Sequence, residues 1–187
     1  MTRGTDRTLL LQLAREAIVA HVTGAAAPAT EVCARATEMG AAFVTLHRHG
    51  ELRGCIGHIE ADEPLGRVIA RGAVAAASAD PRFPPVGASE VPDLEIELSL
   101  LGPLEAVMTP DDIDIGRHGL VVELGWRRGL LLPQVAPEWG WDCVMFLAQT
   151  CHKAGLPRDA WKRGAKVWRF EAEVFGEQEG GRGGNGG

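Results

Sequence analysis

The stretches Ala41-Ala42-Phe43-Val44-Thr45-Leu46 and Glu51-Leu52-Arg53-Gly54-Cys55-Ile56-Gly57-His58-Ile59, separated by the turn signal Arg48-His49-Gly50, decide the fold class. The first is apolar and partly β-branched, the second keeps extended character, and a glycine-bearing turn between two such runs predicts a hairpin. Directly after it Asp62 and Pro64 mark a helix start. Leu65, Val68, Ile69, Gly72 and Ala76 then recur at helical spacing as far as Ser78. A strand pair followed at once by a helix, without regular strand-helix-strand repetition elsewhere, predicts an α+β fold. We expect a mainly antiparallel sheet packed by three to four helices, in one or two unequal lobes.

Working outward, residues 7–22 carry Leu10, Leu13, Ala14, Ala17 and Ile18 on one helical face. A small-residue linker at 24–28 precedes Thr30, which is placed to cap a short helix reaching Met39. The run Asp80-Pro81-Arg82-Phe83-Pro84-Pro85 excludes regular structure, because each proline removes a donor and restricts the residue before it. Residues 94–100 alternate apolar and polar, as a strand with one wet face does. Two further strands are expected at 120–124 and 129–132, joined through Trp126-Arg127-Arg128. A helix over 141–154 should turn Val144, Leu147, Ala148 and Cys151 inward, with Gly155 ending it. A last strand over 166–175 should place Trp168, Phe170, Ala172 and Val174 on one face. Residues 1–175 thus read as a single domain and 176–187 as a disordered glycine-rich tail.

At 187 residues and 19.9 kDa the chain suits one core. Net charge is −6 without a basic cluster, which argues against nucleic acid as a ligand. No apolar run approaches the roughly 18 residues of a membrane span, and the N-terminal segment lacks the apolar stretch of a secretory signal, so a cytoplasmic protein with no membrane contact is expected. Four cysteines, Cys33, Cys55, Cys143 and Cys151, show no paired metal-site spacing. We expect free thiols, no metal and no cofactor.

Chemistry concentrates in Leu52-Arg53-Gly54-Cys55-Ile56-Gly57. In a regular strand Arg53 and Cys55 share a face, and a guanidinium beside a thiol favours the nucleophilic thiolate. The glycines permit a substrate to approach closely, and they also permit a bulge that would aim the cysteine. A purely structural reading makes Cys55 a small buried hydrophobe, pairs Arg53 with a carboxylate and gives the glycines to packing. Asp80, Arg82 and Phe83 offer a carboxylate, a guanidinium and a ring on a stiff loop. His118, beside Gly119 at a strand start, has the chemistry of a general acid or base. His58 points away from Cys55 in a regular strand, so the two cannot share a metal there.

Five runs in order, 42–46, 52–57, 80–83, 129–135 and 153–157, resemble the AMMECR-type domain, the protein A component of the AmmeMemoRadiSam system. The resemblance implies an α+β fold of two unequal lobes and a functional cleft lined by the signature. Arg53, Gly54, Cys55 and Gly57 take the signature positions, and Asp80, Arg82 and Phe83 match a second fixed loop. It also implies two partners, a Memo-type protein and a radical S-adenosylmethionine (radical-SAM) protein. This chain lacks the cysteine spacing of a radical cluster.

Two functions follow as expectations. In one, Cys55 is a catalytic nucleophile or carrier, with Arg53 favouring the thiolate, Asp80 or His118 moving protons, and Gly54, Gly57, Arg82 and Phe83 contacting substrate. In the other, the chain is a non-catalytic module that docks the companion proteins.

Overall fold

The computed structural model describes residues 1–177, so the expected tail lies, from residue 178 on, outside the described residues. The described residues form two compact units, 1–101 with 173–177, and Gly102–Ala172. The sheet is antiparallel in its described pairings, as the α+β reading expects.

The first unit holds α1 (Gly4–Thr23), α2 (Ala34–Thr37), β1 (Ala41–Arg48), β2 (Glu51–His58), α3 (Leu65–Ser78), a 3-10 helix (Ala88–Asp93) and β3 (Leu94–Leu101). β1 lies between β2 and β3, which leaves β2 at the edge. α3 packs on β1 and β2, and α1 packs on α3. The helical stripe of α1 is buried as its spacing requires: Leu10, Leu13, Ala14, Ala17 and Ile18 are all inside, with Leu46, Leu65, Ile69, Ile96 and Leu98 opposite them. Thr30 is not a cap, because α2 starts only at Ala34, after Cys33, and no side chain caps it.

The hairpin turn is two residues long, with His49 at φ 54° and Gly50 at φ 81°. Two consecutive positive φ values match the twist of the flanking strands. Near the turn His47 pairs with Leu52 and Arg48 with Glu51, but farther along Leu46 pairs with Gly54 and Thr45 with Cys55. One extra residue, Arg53, has therefore been inserted into β2. Extending the turn-side register would have set Cys55 opposite Val44, a core residue that is 1% exposed. The bulge flips every later side chain of β2 to the other face and takes Cys55 off the core side.

The second unit holds β4 (Glu105–Ala106), a 3-10 helix (Pro110–Asp112), β5 (His118–Leu124), β6 (Arg127–Leu131), α4 (Val135–Glu138), α5 (Cys143–Lys153), a further 3-10 helix (Ala160–Lys162) and most of β7 (Lys166–Gly176). β7 pairs with β4 on one side and β5 on the other, and β6 follows β5. Arg127 and Arg128 belong to β6 rather than to the connection, which is a tight turn through Gly125 at φ 62°. Asp142 caps α5 by accepting from the Met145 N–H at 2.7 Å. That start sets the helix phase. Phe146, Leu147, Thr150 and Cys151 face inward, whereas Val144, expected inside, is 49% exposed in the first turn and Ala148 is only part-buried.

β7 also departs from its expected single face. Val167 packs in the core of the second unit and Phe175 in that of the first, while Val174 is exposed. A strand that serves two cores has no reason to keep one buried face along its whole length. For the α5 phase, Phe146→Ala should lower stability by about 3–5 kcal/mol and Val144→Ser by no more than about 0.5 kcal/mol. Urea unfolding of the two variants checks this ranking, and the reverse order would place the helix phase wrongly.

Candidate functional site

Gly54 decides how closely α3 approaches β2. A Cβ there would lie 2.1 Å from the carbonyl oxygen of Ala76, so only glycine lets the helix backbone rest on the strand. Four residues beyond Ala76, just past the helix end, the chain turns at Asp80. The Phe83 N–H donates to the Asp80 carbonyl at 3.1 Å, closing a turn with proline in second place. The stiff-loop expectation takes this concrete form.

The Asp80 carboxylate is almost fully buried and accepts four hydrogen bonds. One oxygen takes the Arg82 N–H at 3.1 Å and the Arg82 Nε at 2.9 Å. The other takes the Arg82 guanidinium at 2.7 Å and the Cys55 amide at 2.9 Å. The Arg82 hydrogen bond is the largest cause holding Asp80 well below the usual carboxylate range, with the Cys55 and Arg82 amides adding to it against burial. Asp80 thus closes an amide on an edge strand that would otherwise offer itself to another chain. It is a poor proton carrier, because it stays ionised and both oxygens are engaged, which speaks against its moving protons.

Cys55 is half-buried with a free thiol. Its Sγ lies 3.3 Å from the Oγ1 of Thr45, its cross-strand partner. The guanidinium that senses this sulfur is Arg82, whose pKa is raised chiefly by Asp80 and in small part by the charge of Cys55. Arg82 is half-exposed and its guanidinium lies 5.4 Å from the centre of the Phe83 ring.

Arg53, expected beside Cys55, is turned elsewhere by the bulge. Its Nε and a terminal nitrogen bind Glu90 at 3.0 and 3.1 Å, and its other terminal nitrogen donates to the Pro84 carbonyl at 3.0 Å. Glu90 is lowered to about 2, first by Arg53, then by the Gly87 N–H, with Arg48 contributing. Gly54 and Gly57, expected to contact substrate, are filled from within. A Cβ on Gly57 would lie 2.3 Å from the ring of its cross-strand partner Phe43. Their side-chain faces therefore leave no room for a ligand.

His118 belongs to the second unit, where its Nδ1 accepts from the Asp114 N–H at 2.9 Å. That bond closes the loop before β5 and, in the neutral ring, leaves the proton on Nε2. Thr45 and Glu90 escaped the sequence reading. Thr45 was reachable from hairpin register had the bulge been placed, whereas nothing local marks Glu90 as the partner of Arg53. Among the described residues one group brings ligand atoms within 4.8 Å of one another: His58, Asp62 and Glu63. Its polar atoms are already engaged within the chain, since His58 bonds Asp62 at 2.7 Å and Arg71 bonds Glu63 at 2.6 Å.

Fold and site together define an α+β protein that carries a free, half-buried cysteine on a bulged edge strand, its amide fixed by an ionised aspartate. The AMMECR1 family profile matches residues 11–175, and the chain belongs to that family. A protein of Methanosarcina acetivorans is 42% identical over 96% of this chain and 95% of its own. One from Thermococcus onnurineus is 46% identical over 90% of this chain and 89% of its own. The crystal structure of an uncharacterised protein from Pyrococcus horikoshii matches with a TM-score of 0.83 at 43% identity, covering 90% of each chain.

Asp80→Asn should cost about 1.5–3 kcal/mol at pH 7, the worth of charged hydrogen bonds to a buried carboxylate. A depressed folded pKa means that the Asp80 contribution is complete above the unfolded value of about 3.9 and is lost as pH falls below it. Stability measured between pH 7 and pH 3 should therefore fall more steeply at the acid end for the parent chain than for Asp80→Asn. Parallel curves would show that Asp80 is not the linked group.

Proposed function

We propose that this AMMECR1-family protein uses the Cys55 thiol as a covalent acceptor, a nucleophile or carrier, with the Arg82 guanidinium held nearby on the carboxylate that also holds the Cys55 amide. The observation that carries the reading is the shared carboxylate. Asp80 holds the Cys55 backbone with one bond and Arg82 with three others, two from its guanidinium and one from its amide, so cysteine and cation are set by one anchor. Thr45 offers a hydroxyl that can donate to the charged sulfur at the observed 3.3 Å. Phe83 supplies an apolar wall next to the cation. Asp80 is a positioning residue in this scheme, and Arg53 braces the strand through Glu90. His118 is given no role.

By the family resemblance, this function would be exercised in the cytoplasm within the AmmeMemoRadiSam system, beside Memo-type and radical-SAM companions. The competing reading, a module that docks those companions without chemistry, draws support from Arg53, Gly54 and Gly57. All three are committed to the protein's own packing, as residues shaping a rigid surface would be.

Alkylation of each cysteine, followed by mass spectrometry across a pH series, separates the two. Cys143 and Cys151 serve as slow internal standards, because burial, the leading cause for each, pushes their thiols up. Cys55 should react faster than Cys33, and Arg82→Gln should slow Cys55 by about threefold or more at pH 7 without slowing Cys33. If Cys55 reacts no faster than Cys33, the covalent reading fails and docking leads. Cys55→Ser that keeps partner co-purification but loses function would favour the chemistry.

A further inference from the structure

All five tryptophans of the chain fall within the second unit, and two of them stand largely in water, Trp126 at 88% and Trp139 at 70% exposure. An indole left in solvent forgoes one of the largest burial gains available to any side chain. Trp139 is not isolated. It stacks on Trp141 with ring centres 6.1 Å apart, and Val144 and Met145 follow, exposed on the first turn of α5. The neighbouring stretch 108–116 adds exposed Met108, and the two stretches touch where the Cys143 thiol donates to the Ile113 carbonyl at 3.3 Å.

Within the two stretches that carry this apolar surface the charges have one sign. Residues 108–116 and 134–149 contain Asp111, Asp112, Asp114, Glu138 and Asp142 and no lysine, arginine or histidine. Asp112 takes the Thr109 and Met108 N–H groups on one oxygen, which holds its pKa down, and Asp142 takes the Met145 N–H on one of its own. The nearest guanidiniums are engaged at the margin: Arg117 with Glu171 at 2.7 Å and more loosely with Asp114 at 3.8 Å, and Arg169 with Glu105 at 2.8 Å and with the Asp112 carbonyl. The Cys143 thiol between the two stretches is pushed up by burial first and then by Asp142, Asp111 and Asp114, which places these three carboxylates close to it.

We propose that this face of the second unit docks a basic amphipathic protein segment, whose apolar side covers Trp139, Val144 and Met145 while its lysines or arginines meet the carboxylates. An aromatic and methionine centre with a charged rim is the anatomy of a protein interface. Methionine adapts to partners of differing shape, and a rim of one sign speeds encounter with the opposite sign. A second copy of this chain, at net charge −6, would bring like charge to like, and an anionic membrane would be repelled in the same way.

The test uses the full chain and a fluorescein-labelled helical peptide of 18 residues built only from leucine and lysine, with a leucine and glutamate peptide as control. The lysine peptide should raise anisotropy with micromolar affinity and shift tryptophan emission to the blue, and the glutamate peptide should do neither. Trp139→Ser combined with Met145→Ser should weaken binding at least tenfold, as should Asp111→Asn with Glu138→Gln. These side chains are exposed or on the surface, and circular dichroism confirms that each variant folds. Cys55→Ser should bind like the parent, which keeps this proposal separate from the thiol chemistry. Equal binding by the Trp139 variant, no binding at all, self-association abolished by Trp139→Ser, or capture by zwitterionic vesicles in place of the peptide would each overturn it.

Discussion

The buried carboxylate of Asp80 is the constraint on which the candidate site depends. Four donors converge on it, and three of them come from Arg82 alone. A carboxylate taken out of water is tolerable only when its lone pairs are so completely used. Asp80 therefore acts as a fixed negative point, and the Cys55 amide and the Arg82 side chain take their places around it. Cysteine and arginine are 27 positions apart in sequence and need no direct bond to be held near one another.

That anchor works only because the strand and helix meet where they do. α3 ends at Ser78, and the Ala76 carbonyl sits against Gly54 at a distance no side chain would allow. The turn at Asp80 then opens next to the residue that follows Gly54. Insertion of Arg53 into β2 supplies the last condition, because without the extra residue Cys55 would stand opposite Val44 on the core side. Glycine, bulge and aspartate are thus one device: the glycine sets the approach, the bulge sets the face and the carboxylate fixes the result.

The sequence made the hairpin and the long helices legible, since these follow from periodicity and turn chemistry. It set Arg53 beside Cys55, whereas the structure turns Arg53 to Glu90, and the difference has a definite reason. The period-2 rule makes Arg53 and Cys55 neighbours, and a single bulge between positions 52 and 54 cancels that rule. Nothing local in Glu51 to Gly57 says whether the bulge forms, because the energy that favours it lies in remote groups. Glu90 and the Pro84 carbonyl receive Arg53 from more than thirty residues away. Val144 failed for a related reason: helical spacing gives a stripe, but the Asp142 cap chooses where the first turn begins and hence which stripe faces in. Strand β7 failed because two cores share it, and a one-face pattern presumes one core.

Division into two compact units also separates two kinds of surface. The first unit commits several arginines to internal pairs, Arg53 with Glu90, Arg15 with Glu177 and Arg7 with Glu173, and keeps the Cys55 thiol half-covered. The second unit spends its aromatic residues differently, leaving Trp126 and Trp139 exposed while Asp111, Asp112, Asp114, Glu138 and Asp142 crowd two short stretches, with Arg117 only loosely paired to Asp114 at 3.8 Å. A chain under selection for stability alone would bury those indoles or replace them. Retaining them in water makes sense when another molecule completes the burial, and the acidic surroundings state which charge that molecule carries. Covalent chemistry and docking are then compatible tasks of one protein, because they draw on different residues in different units.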